Sequence, residues 1–92
     1  MANMIKQYEK VRAFKCSSKE FPELGIVIAF AYNYSEARNL AKGVFQEVNP
    51  AVRYLGIRAS IVLKDVPKEL NNKVCFNESH EGYELVSEFL LQ

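Results

Sequence analysis

The chain is poor in the residues that build metal centres, phosphate loops and linkers. Its two cysteines, Cys16 and Cys75, and its single histidine, His80, include no Cys-x-x-Cys pair and fall short of a structural zinc site. Two thiols allow one disulfide at most, and in a reducing compartment both stay free. Gly25, Gly43, Gly56 and Gly82 are isolated, so neither GxxxxGK[ST] nor GxGxxG occurs, and they read as turn or packing positions. There is no Gly/Ser-rich or Pro-rich tract to mark a linker, and no internal repeat. The longest nearly apolar stretch, residues 24–32, is far short of the roughly 20 residues that span a bilayer. Residues 1–8 lack the apolar run of a signal peptide, so no membrane association and a cytoplasmic location are expected.

What is present is an ordinary globular composition with an uneven charge distribution. Of 92 residues, 49% are apolar and 25% charged. A chain of this length buries about 60–65% of its unfolded surface, so one compact domain over residues 1–92 is expected, frayed at residues 1–6. Residues 1–64 hold ten Lys and Arg against five Glu, a balance of +5. Residues 65–92 hold two Lys against six acidic residues, a balance of −4. Such a split gives either a basic surface for an anionic partner or an acidic segment that folds back to neutralise it.

Residues 8–16 and 24–32 read as two strands, joined by a polar turn in which Pro22 restricts φ and removes a donor. The second strand is apolar at both parities, which places it centrally with both faces covered. A helix follows, capped by Asn33 with Glu36 three residues on, or by Ser35 alone. Its stripe is Ala37, Leu40, Ala41, Val44, Phe45 and Val48, and Asn49-Pro50 ends it. Residues 54–64 alternate as a third strand, with Leu55, Ile57, Ala59, Ile61 and Leu63 assigned to the core. Residues 66–72 read as a connection and residues 74–76 as a short strand. A second helix is expected from about His80, capped by Ser79, with Tyr83, Val86, Phe89 and Leu90 on its apolar face. The order β-β-α-β-(β)-α gives an α+β fold, a small, mostly antiparallel sheet of three to four strands packed with two helices.

No catalytic constellation emerges from these elements. A Cys75 nucleophile with His80 as base requires a stabilised thiolate, whereas both cysteines sit in apolar, strand-like contexts where thiols act as small hydrophobes. Glu81, Glu84 and Glu88 share one helix face, which reads as solvated. No enzyme activity, cofactor or metal is expected.

Two binding readings remain. If the odd positions of the first strand face the first helix, Tyr8, Lys10, Arg12 and Phe14 project together from the opposite face, beside Arg58, Ser60 and Lys64. That surface suits single-stranded nucleic acid, with rings for bases and cations for phosphates. In the competing arrangement the second helix covers this face, burying Phe14, Ile26, Ile28 and Phe30 and bringing Glu81, Glu84 and Glu88 to the basic side chains. The second reading is protein binding through Tyr32, Tyr34 and Tyr54 with Arg38, Arg53 and Arg58, residue types enriched at interface hot spots.

The strand pair Val11-Arg12-Ala13-Phe14-Lys15-Cys16 and Gly25-Ile26-Val27-Ile28-Ala29-Phe30-Ala31, followed by Ser35-Glu36-Ala37-Arg38, resembles short proteins encoded by bacteriophages and other mobile elements. The resemblance covers the first half of the chain and carries over no binding residue. It implies a protein that binds and inhibits, or redirects, a host protein in the host cytoplasm, including components of antiviral defence such as CRISPR systems. A DNA mimic needs a strongly acidic surface, which the basic first 64 residues oppose. The preferred expectation is a noncatalytic protein-interaction domain that inhibits or modulates a host protein and self-associates through a sheet edge or the last helix. The alternative is the single-stranded nucleic-acid-binding sheet face.

Overall fold

The structure, a computed structural model, describes residues 10–91; the expected fraying of residues 1–6 and the side chain of Tyr8 lie outside them. Strand β1 is Arg12–Ser18 and β2 is Val27–Ala31; they pair antiparallel, with Phe14 opposite Ala29. A 3-10 turn at Pro22–Leu24 joins them, closed by the Gly25 N–H donating to Pro22 O at 3.2 Å, and the Phe21 N–H just before it donates to Ser18 Oγ at 3.0 Å. Pro22 presets the turn, and Gly25 leaves it at φ +83° with nothing near a Cβ, so its requirement is conformational rather than steric. The first strand runs beyond its expected end at Cys16, because Ser17 and Ser18 are held extended by pairing with Arg58 and Ile57. All five residues of β2 are buried, as its apolar character at both parities predicts.

Helix α1, Tyr34–Val48, starts at a reciprocal cap. Asn33 Oδ1 accepts from the Glu36 N–H at 2.9 Å, and Glu36 Oε1 accepts from the Tyr32 N–H at 3.3 Å. Asn33→Ala is expected to cost about 1 kcal/mol, read by chemical denaturation, because one of the helix's orphan donors loses its acceptor. Ala37, Ala41 and Phe45 are buried against the sheet, the alanines allowing close approach. Val48 departs from expectation: it is 74% exposed, since the apolar stripe outruns the sheet at the last turn.

Strand β3, Ile57–Leu63, pairs antiparallel with β1 on the side away from β2. It begins later than its alternation suggests. Residues Tyr54–Gly56 form a 3-10 turn closed by the Gly56 N–H donating to Arg53 O at 3.0 Å, which leaves Leu55 85% exposed rather than in the core. A β-bulge then changes parity within the strand. Phe14 faces Ile61 but Ala13 faces Leu63, so Val62 is the extra residue. Ile57, Ala59 and Ile61 therefore pack on the α1 side as expected, while Leu63 is carried to the opposite face with Ala13.

Strand β4, Val74–Cys75, completes the order β3-β1-β2-β4, and helix α2 is Tyr83–Leu90. Ser79 does not cap α2. Its N–H and hydroxyl both turn to Asn77 Oδ1, and the helix starts from Gly82, at φ +84°. The result is an antiparallel four-stranded sheet between two helices, with a core on each face. Phe14, Cys16, Ala29, Phe45 and Val52 lie on the α1 side, and Val11, Ala13, Ile28, Phe30 and Val86 on the α2 side. Among the described residues no helix is long and apolar enough to cross a membrane.

Candidate functional site

The site follows from β3 being an outer strand. The Lys19 N–H donates to Gly56 O at 2.8 Å, and in an antiparallel ladder pairing recurs at every second residue. The Gly56 C=O and the backbone groups of Arg58 and Ser60 thus turn toward β1, while Ile57, Ala59 and Ile61 turn theirs outward. The Arg38 Nε–H, reaching from α1, donates to the outward Ile57 O at 3.2 Å. Among the described residues no backbone hydrogen bond from outside the sheet reaches Ala59 or Ile61. The opposite edge, β4, is only two residues long.

Around this edge three of the expected protein-binding residues converge. The Tyr34 ring stands edge-on to Phe14 with centroids 5.0 Å apart, and the Arg38 guanidinium lies 5.7 Å from the Tyr34 centroid. The Tyr54 phenol reaches the same helical turn, where hydrogen bonding to Ser35, then the Arg38 guanidinium, holds its pKa below the ordinary value. Arg58 is exposed on the other face of β3. Tyr32 and Arg53 lie elsewhere: Tyr32 packs against the α2-side core, and Arg53 pairs with Glu20 at 2.5 Å. That pair lowers the Glu20 pKa, and Gly56 makes room for it, since a Cβ there would stand 2.7 Å from Glu20 Oε1.

A shallow groove of about 460 Å³ runs along β3 and β1 beside this cluster. Among the described residues it is lined by four cations, Lys15, Lys19, Arg38 and Arg58, two hydroxyls, Ser17 and Ser60, and no carboxylate. Lys10–Asp65 at 3.3 Å joins the basic and acidic parts, but Arg53–Glu20 and Lys73–Glu81 each form within one part. Among the described residues, none of these pairs takes up Lys19, Arg38 or Arg58. Lys15, Ser17 and Lys19 are not among the residues the sequence selects, whereas Ser60 is placed beside Arg58. The signal was the period-two polarity of residues 15–19, hidden by ending the first strand at Cys16.

Among the described residues the basic and aromatic sheet face expected for nucleic acid is not assembled. Even rather than odd positions of β1 face α1, so Phe14 is fully buried in the α1-side core with no face for a base. Arg12 lies on the same side, 5.8 Å from the Phe14 centroid, and donates to Tyr32 O. Lys10 is engaged by Asp65, and Tyr8 lies outside the described residues. Lys64 and Arg58 are exposed near opposite ends of β3. The covering-helix arrangement is met only in part: α2 covers Ile28 and Phe30, but Phe14 is on the other face, and Glu81 pairs with Lys73.

The cysteines lie on opposite faces of the sheet, both as free thiols. Burial pushes the Cys16 pKa up to about 12, against the opposing pull of Arg38. Burial also raises Cys75, aided by Glu84, which opposes the thiolate a nucleophile needs. His80 uses Nδ1 to accept from the Phe76 N–H at 3.4 Å and lies against the Phe76 ring at a tilt of 50°. Among the described residues no three His, Cys, Asp or Glu side chains gather to hold a metal ion.

Cys16 carries a pH prediction. Its folded pKa of about 12 lies above the ordinary 9.0, so its contribution to stability is complete below pH 9. It is then lost as pH rises toward 12, because the unfolded thiol ionises first. In native protein at neutral pH, Cys16 is expected to resist iodoacetamide and to react on unfolding; rapid native alkylation contradicts its burial. Compared with protein-family models, curated proteins and solved structures, the chain gives no match.

Proposed function

We propose that the chain is a noncatalytic protein-interaction domain whose binding element is the β3 edge. One observation carries this reading: the outward backbone groups of Ala59 and Ile61, which meet no backbone partner from outside the sheet among the described residues, continue the edge at which Arg38, in contact with Tyr34 and Tyr54, reaches Ile57 O, and Arg58 is exposed between them. An outer strand with unpaired N–H and C=O groups is a template for another strand, and Tyr and Arg beside it supply contact area with polar reach. Leu55, exposed at the start of the edge, adds an apolar contact. The resemblance to short bacteriophage proteins gives the reading its form, inhibition or modulation of a host protein, and that form rests on the resemblance alone.

The test is affinity capture from nuclease-treated and untreated lysates with three baits. These are the wild type, Ala59→Pro, which removes the outward N–H at a position where an outer strand tolerates proline, and Lys68→Glu as a distant control. The expected result is a discrete protein retained with or without nuclease, retained by the control and reduced at least tenfold by Ala59→Pro. Circular dichroism checks that each variant is folded. Retention of nucleic acid alone, lost on nuclease treatment, overturns the reading in favour of the cationic groove as a nucleic-acid site.

A further inference from the structure

Resting on the edge reading above, we infer that the segment received by β3 is an extended acidic peptide of a partner protein, with carboxylates at alternate positions. A strand added about 4.8 Å beyond β3 directs successive side chains to opposite faces of the sheet. On the α1 face they meet the partly buried Ala59 and Ile61, where small or apolar residues fit. On the other face they meet Arg58 and Ser60, continuous with Ser17 and Lys19 of the groove. Among the described residues no carboxylate lines that groove, so every second side chain of the added strand faces Arg58, with Lys19 beyond it, neither of which is taken up by the Lys10–Asp65, Arg53–Glu20 or Lys73–Glu81 pairs. Opposite charges across adjacent strands stabilise pairing, and like charges oppose it.

The same geometry weighs against other occupants. A second copy pairing edge to edge brings another Arg58 and Lys19 to the same groove, placing like charges together. Single-stranded nucleic acid gains phosphate contacts but, among the described residues, finds no ring on the cationic face, because Phe14 is buried, Tyr34 packs against Phe14, and Tyr54 is held at Ser35. Base stacking supplies much of the affinity of sequence-tolerant single-strand binders. The outward N–H and C=O groups of Ala59 match a peptide backbone, which a sugar-phosphate chain cannot reproduce.

Three probes test this against isotopically labelled full-length protein by amide chemical shifts: an eight-residue peptide alternating Glu with Val, its Gln counterpart, and an eight-nucleotide oligothymidylate. The Glu peptide is expected to bind at least tenfold tighter than the Gln peptide, to shift the Ala59 and Ile61 amides, and to weaken with salt. Arg58→Glu and Lys19→Glu, both at exposed positions, are each expected to lower its affinity at least tenfold with the fold retained. Equal binding of the Gln peptide, with Ala59 shifted, overturns the acidic preference and leaves the edge reading standing. Tighter binding of the oligonucleotide, or peptide binding that leaves Ala59 and Ile61 unshifted, overturns the inference. Failure of both peptides also overturns it, while the edge reading is judged separately by protein capture with Ala59→Pro.

Discussion

Phe14→Ala is expected to remove about 3–5 kcal/mol of stability, the range for deleting a fully buried aromatic side chain. Phe14 is fully buried at the middle of β1, opposite Ala29 on one side and Ile61 on the other, and its ring receives the edge of Tyr34. Its removal leaves a cavity bounded by two strands and α1, and the rigid ladder on both sides limits collapse into it. Domains of this size are stable by about 5–15 kcal/mol, so the loss is a large fraction of the total and should be plain in urea denaturation. The variant also separates two pictures of the sheet. A ring displayed for stacking bases would leave stability within about 0.5 kcal/mol of wild type and reduce binding alone, as exposed substitutions do. A loss above 3 kcal/mol agrees with Phe14 as the link between the sheet and the Tyr34–Arg38 cluster.

Gly82→Ala is expected to destabilise by about 2–5 kcal/mol, from left-handed backbone strain combined with overpacking. Gly82 has φ +84°, and a Cβ there would lie 2.9 Å from Phe30 Cζ and 3.2 Å from Leu70 Cδ1. Neither neighbour yields easily, because Phe30 is fully buried and Leu70 nearly so. The strain falls where α2 begins, so the helix lifts from Ile28 and Phe30 or the core beneath it distorts. Gly43→Ala is the matched control. Gly43 lies within α1 with nothing within 4 Å of a Cβ, so this substitution is expected to stabilise by about 0.5–1 kcal/mol. Both values are read from denaturation midpoints, and a Gly82→Ala loss below 1 kcal/mol would contradict the close packing of Gly82 on Phe30.

The fold class and the main features of α1 are legible in the sequence because they rest on local chemistry. The Asn33–Glu36 spacing specifies the cap, and the apolar character of β2 at both parities specifies an interior strand. The parity of β1 is not legible. Arg12, Phe14 and Cys16 alternate with Val11, Ala13 and Lys15, so each face carries one cation among apolar residues and tertiary packing decides. The bulge at Val62 has no local signature, yet it moves Leu63 to the other core. Ser79 is a good cap by residue type but loses to Gly82, whose positive φ suits the entry to α2. Within the site, composition selects Tyr34, Arg38, Tyr54 and Arg58, whereas Lys19 and Ser17 join them only because β1 extends to Ser18 and pairs with β3.

Residue-resolved amide hydrogen exchange, on the free protein and on its complex with the captured partner, tests the edge most directly. In the free protein Arg58 and Ser60 are expected to exchange slowly through their bonds to β1, while Ala59 and Ile61 exchange rapidly. In the complex Ala59 and Ile61 should slow at least tenfold as an added strand takes up their outward groups. Slow exchange at Ala59 and Ile61 in the free protein, or rates unchanged by the partner, would contradict β3 as the binding edge.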